Sequence, residues 1–160
     1  IKDTIAVCVF GVLISAVIFF GPNLMAEVDN YIPADPLVTP AHIVPNWYLA
    51  PFYAILRAVP DKLGGVLLMF GAIVILFVLP WLDKSPVRSI RYKGTPSKVF
   101  LALFVISFFV LGYLGTVHPT PVKTMISQVC TAIYFAYFLL MPWYTKVEAT
   151  KPVPERLTMR

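Results

Sequence analysis

"LGGVLLMFGAIVILFVLPWL" runs from Leu63 to Leu82 without one charged side chain. It matches the run of about 20 apolar residues that a helix needs to cross the hydrocarbon of a bilayer. The bulk composition agrees, with 59% hydrophobic residues, 13% charged residues and a mean hydropathy of +0.80. A soluble domain of 160 residues has too much surface to hide that much apolar material. Three further runs, Thr4–Gly21, Val99–Val117 and Val122–Trp143, have the same character. None of the four holds Asp, Glu, Arg or His in its interior, and Lys123 lies at an end. The reading is an all-α membrane protein with four transmembrane helices and a long loop, 22–62, containing a short helix.

Working outward from Leu82, the chain enters a basic loop, Asp83–Lys98. An even number of spans puts both termini on that same side. Ten of the 13 Lys and Arg fall there: Lys2, Lys84, Arg88, Arg91, Lys93, Lys98, Lys146, Lys151, Arg156 and Arg160. Arg57, Lys62 and Lys123 fall on the other. Positive charge accumulates on the cytoplasmic side of membrane proteins, which predicts both termini and the Asp83–Lys98 loop in the cytoplasm or its equivalent. The net charge of +5 is thereby a topology signal, and no nucleic-acid partner is expected. Trp81, Trp143 and Tyr144 stand where an aromatic belt on the inner face belongs.

Upstream of Leu63 lies the loop on the outer face. It is too long for a plain connector. Its second half, "IVPNWYLAPFYAILRAVPDK" (Ile43–Lys62), predicts a helix of about nine residues, with Pro51 in the first turn and an end before Pro60. Phe52, Ala54, Ile55, Leu56, Ala58 and Val59 leave it little polar face, so it is expected to be buried against the ends of the spans or against a ligand. Gly64, Gly65, Gly71, Gly112 and Gly115 offer places for close approach between helices. Cys8 and Cys130 fall inside hydrophobic runs and read as buried thiols without a disulfide. No cleavable signal pattern is visible, and a chain beginning at Ile1 reads as a piece of a longer or processed protein.

The stretch "DNYIPADPLVTPAHIVPNWYLAPFYAILRAVPDKLGGVL" resembles the cytochrome b of bc1-type complexes, the ubiquinol:cytochrome c oxidoreductases. The resemblance continues through "PWLDKSPVRSIRY" and the last two spans, and it covers essentially the whole of 1–160 as the carboxy-terminal part of that subunit. The related subunit IV of the plastid b6f complex normally has three spans, so the fourth favours the bc1 branch. The resemblance implies quinol oxidation on the outer face and quinone reduction on the inner face, coupled to proton translocation in a respiratory chain. Ubiquinol and ubiquinone are then the substrates. The implied partners are the amino-terminal half of cytochrome b, the Rieske iron–sulfur protein and cytochrome c1, in a dimeric complex within the lipid bilayer. The location that the resemblance implies is that of an integral membrane protein of a bacterial inner membrane. Two b haems are expected on the absent amino-terminal half, because the family ligates them through four histidines on spans. This chain has two, His42 and His118, both in loops. His42 reads as a structural hydrogen bonder and His118 as an exposed loop residue.

Residue by residue, the resemblance implies an outer quinone site with Ile43, Pro45, Asn46, Trp47, Tyr48, Tyr53, Val66, Met69 and Phe70, and a docking contact at Lys62 for the iron–sulfur partner. The family places glutamate where this chain has Asn46. Quinol loses protons as it loses electrons, and a nearby base helps. An amide orients the ring through hydrogen bonds but does not titrate as a carboxylate does. Within this chain Asp35 and Asp61 are the nearest carboxylates in sequence that could serve instead; an acid on the absent half, a histidine ligand of the iron–sulfur partner and ordered water are the alternatives. At the inner site "IKDTIAV" implies that Asp3 hydrogen-bonds the quinone oxygen and Lys2 takes part in proton uptake. Two other readings compete with catalysis by this subunit. One is a structural subunit of a bc complex without quinol chemistry of its own, which the loss of the glutamate suggests. The other is a small transporter bundle, disfavoured because the spans carry no interior charges.

Overall fold

The computed structural model describes residues 2–24, 31–33, 35–38 and 43–153. The regular elements among them are helices, with no strand: α1 (Lys2–Phe20), α2 (Ala50–Ala58), α3 (Lys62–Leu82), α4 (Thr95–Thr116), α5 (Pro121–Leu139) and α6 (Met141–Val147). Four of them, α1, α3, α4 and α5, are long and apolar enough to cross a membrane. The chain divides into two compact units, Ile1–Trp47 and Tyr48–Arg160.

In the first unit α1 is apolar all round, and its described side chains, Cys8 among them, are exposed. Such a surface is at home in hydrocarbon. Cys8 was expected to be buried; it faces outward from the unit instead, whereas Cys130 of the second unit is buried, and both thiols are free.

The long helices of the second unit begin at local signals. The Asp61 carboxylate accepts the Gly64 N–H at 2.6 Å and caps α3. Thr120 caps α5 just ahead of Pro121, and α4 opens with Pro96 in its first turn. Pro80 sits inside α3 only two residues before its end, so the absent N–H interrupts little of the ladder. The fourth apolar run does not form one helix through Trp143. α5 stops at Leu139, and Met141 begins a separate helix, α6. Pro142 lacks the N–H that would have bonded to Phe138, which marks the break locally.

The core of this unit is aromatic. Phe104 of α4 lies 4.6 Å from the ring of Tyr137, 5.3 Å from Tyr134 and 5.4 Å from Phe138, all on α5. Ring pairs in these geometries add to what burial alone contributes. The Tyr134 hydroxyl donates to the Ala72 carbonyl of α3 at 2.9 Å, so a polar group buried at the centre of the unit is satisfied. Outward faces of α3 and α4 carry Leu67, Phe77, Ile106 and Phe109, all exposed.

Candidate functional site

The nine-residue helix α2 is where the fold departs most from a set of simple spans. Ala50, Pro51, Ala54, Ile55 and Ala58 are buried, and α2 packs against α3, α4 and α5 at one end of the unit. Backbone meets backbone at two glycines. A Cβ on Gly115 would overlap the Ala50 carbonyl, and one on Gly65 would overlap the Leu56 carbonyl. Both positions read from the sequence as places of close approach, and both are used against α2. At the same seam a Cβ on Gly112 would stand 3.6 Å from Pro51 Cγ, in ordinary contact.

Two long polar side chains fasten the helix. Arg57 Nη2 donates to the carbonyls of Leu114 at 2.8 Å and Val117 at 3.0 Å, where the last turn of α4 leaves acceptors without intrahelical partners. A cation there also meets the negative end of the α4 dipole. The guanidinium lies 4.8 Å from the centre of the Tyr53 ring, one turn earlier on α2, within cation–π range. Gln128 of α5 donates from Nε2 to the Ala58 carbonyl at 2.9 Å and closes the carboxy-terminal end of α2. Phe52 meets Phe108 of α4 edge-on at 6.3 Å. The expectation of a short buried helix against the span ends is met by these contacts.

The sequence-derived site residues fall in both units. Asp3 lies in the first turn of α1 and is exposed, with Lys2 preceding it on the same helix. Ile43, Asn46 and Trp47 are exposed and Pro45 is half-buried, all in the first unit; the boundary between units falls within the Pro45–Tyr48 motif. In the second unit Tyr48 is exposed, Tyr53 is half-buried on α2, and Lys62, Val66 and Phe70 are exposed on the first three turns of α3, with Met69 half-buried beside them. Asp61, a candidate base by sequence, has one carboxylate oxygen engaged as the α3 cap. Asp35 accepts the Leu37 N–H at 2.9 Å in a local turn. His42 lies outside the described residues. His118 is exposed in the loop between α4 and α5, where its carbonyl accepts from Lys123. Among the described residues no cluster of three or more His, Cys, Asp or Glu could hold a metal. Facing imidazoles on spans, which a b haem needs, are not offered by the described residues. A groove of about 480 Å³ opens beside α2, walled by Val59, Leu68, Gln128, Ala132, Phe135 and Leu139. None of the expected quinone-site residues lines it.

Residues 33–135 match the family model described as cytochrome b (C-terminal)/b6/petD. The chain belongs to this family. It is 52% identical to a cytochrome b of Allochromatium vinosum over 99% of its own length and 40% of that protein's. Against a cytochrome b of Kluyveromyces lactis the identity is 56% over 88% of this chain and 36% of the relative. The chain thus spans about two fifths of the length of these relatives. Among solved structures it is similar to a chain of a hyperthermophilic respiratory Complex III, with a TM-score of 0.83, 33% identity and 92% of this chain covered, against 37% of that one. Four membrane-length apolar helices in a cytochrome b chain make this an integral membrane protein.

Sequence reasoning missed Arg57 and Gln128 as fasteners. A signal existed for each: Arg57 is the one charge in an otherwise apolar helix, and Gln128 is the chain's single glutamine, placed within a span.

Proposed function

We propose that this chain is the carboxy-terminal part of the cytochrome b subunit of a ubiquinol:cytochrome c oxidoreductase in a bacterial inner membrane, with both termini cytoplasmic. The observation that carries the reading is α2. In a chain of this family, a helix too short to span is buried against three others and hydrogen-bonded to two of them through backbone carbonyls, which suits a rigid wall for a substrate that arrives from the bilayer. Quinol is oxidised at the outer face, where Tyr53, Val66, Met69 and Phe70 contribute apolar and ring contacts together with Ile43, Pro45, Trp47 and Tyr48. Asn46 hydrogen-bonds the quinol and orients it. An amide cannot take the proton away, so the proton leaves through another base. Lys62 contacts the iron–sulfur partner. At the inner face Asp3 hydrogen-bonds the quinone oxygen, and Lys2 helps supply the protons that reduced quinone takes up. The haems that carry electrons between the two sites belong to the amino-terminal part of the subunit, and cytochrome c1 and the Rieske protein complete a dimeric complex.

The test uses membranes carrying the whole complex and measures ubiquinol-dependent cytochrome c reduction with flash-induced b-haem kinetics. Asn46→Leu should slow quinol oxidation no more than about tenfold, the equivalent of one hydrogen bond of about 0.5–1.5 kcal/mol. Asp3→Asn should slow haem reoxidation and leave haem reduction by quinol unchanged. A wild-type complex with its haems in place but no quinol-dependent activity would leave only the structural-subunit role.

A further inference from the structure

We infer that Arg57 is a positioning residue for Tyr53, a role that rests on the quinol-oxidation reading above. Arg57 is a cation held by carbonyls: Nη2 makes both bonds to the end of α4, and Nε is buried without a partner. Among the described residues the ion pair found is Asp83–Lys93, at the other end of the unit, and none of their carboxylates pairs with the guanidinium. Its plane is therefore set by α4, and the Tyr53 ring lies against it at 4.8 Å. A side chain one turn away on the same helix would otherwise be free to change rotamer with its own backbone alone. Here the ring is referenced to a second helix. A planar, forked donor is suited to this in a way that an ammonium on a flexible stem is not. Gln128 provides an internal comparison: it fastens the same helix through Ala58 and makes no hydrogen bond or ring contact with Tyr53.

The experiment is a double-mutant cycle in the intact complex, reading kcat and KM for ubiquinol alongside b-haem content. Arg57→Lys keeps a charge near the ring and loses the fork; it should lower kcat/KM about three- to thirtyfold, chiefly through KM. In a Tyr53→Leu background the same change should cost less than about twofold, because the group it positions is gone. Gln128→Leu should have the same fold effect with either residue at position 53. If Arg57→Lys leaves too little assembled complex, Arg57→Gln, whose amide can still donate to a carbonyl, enters the same cycle. Equal fold effects of the Arg57 change in both backgrounds would overturn the assignment and reduce Arg57 to a fastener of α2. A wild-type complex that does not oxidise quinol would sink the underlying reading instead, so the two failures are distinguishable.

Discussion

At the α2 end of the second unit, two glycines press backbone against backbone, and Arg57 and Gln128 donate to carbonyls that no change of pH will alter. At the α6 end the fastenings carry ionisable groups. Lys93, only 8% exposed, pairs with Asp83 just past α3 at 2.5 Å. Glu148, just past α6, accepts the Gly94 N–H at the start of α4 at 3.1 Å. Thr145 takes the Lys84 N–H at 3.1 Å while donating to Met141. Phe100 and Tyr144 stack at 4.5 Å. The contrast follows from the parts available. A short apolar helix can be locked only by shape and by its own and its neighbours' carbonyls, whereas a polar loop brings side chains that pair. The first kind of lock fails when volume changes, the second when charge changes.

The sharpest way to break the comparison is to add volume at the α2 end. Gly115→Leu drives a side chain into the Ala50 carbonyl, which cannot move aside as a flexible side chain would. Overpacking costs about 1–3 kcal/mol and occasionally more, and this site belongs at the top of that range. Thermal unfolding in detergent should show a large loss, with Gly11→Leu on α1, where nothing stands within 4 Å, as the control. Equal melting of the two variants would mean that α2 is not held by close approach.

Next in size is removal of one charge at the α6 end. Asp83→Asn leaves Lys93 buried beside a neutral partner, and a hydrogen bond to a charged group contributes about 1.5–3 kcal/mol. The Asp83 side chain is 29% exposed, so solvent screening places the expected loss toward the lower figure. Adding salt should narrow the gap between this variant and the wild type. A salt-independent difference would show that packing, not charge, joins the 83–94 loop to α3.

The smallest effect is also the most specific to one end. Burial first, and then Tyr137, Asp83 and Glu148, push the Tyr144 phenol above its ordinary 10.0. The folded state then holds that proton more tightly than the unfolded chain does. Its contribution to stability is fully present below pH 10 and declines as pH rises through the alkaline range above it. Tyr144→Phe should unfold less readily above that pH relative to wild type, while at neutral pH it loses only the long 3.4 Å bond to the Tyr137 carbonyl, less than about 1 kcal/mol. Parallel pH curves for the two proteins would remove Tyr144 from the account.

Much of this architecture is written locally. The spans follow from the length of uncharged runs, because a bilayer rewards apolar surface wherever it occurs in the chain. The bounds of α2 follow from Pro51 and Pro60, and its burial from the lack of a polar face. Even the Asp61 cap had its signal, an aspartate just before an apolar run, although proximity to the expected quinol site suggested a base instead. The sequence also marked Gly65 and Gly115 as small, without saying what would use the space. Only the tertiary structure decided that Arg57 reaches carbonyls 57 and 60 residues away and Gln128 one 70 residues away. Hydrophobic burial is non-directional and is satisfied by many arrangements of neighbours. A hydrogen bond needs its acceptor within a few tenths of an ångström and in line, so those partners exist only once the helices have packed.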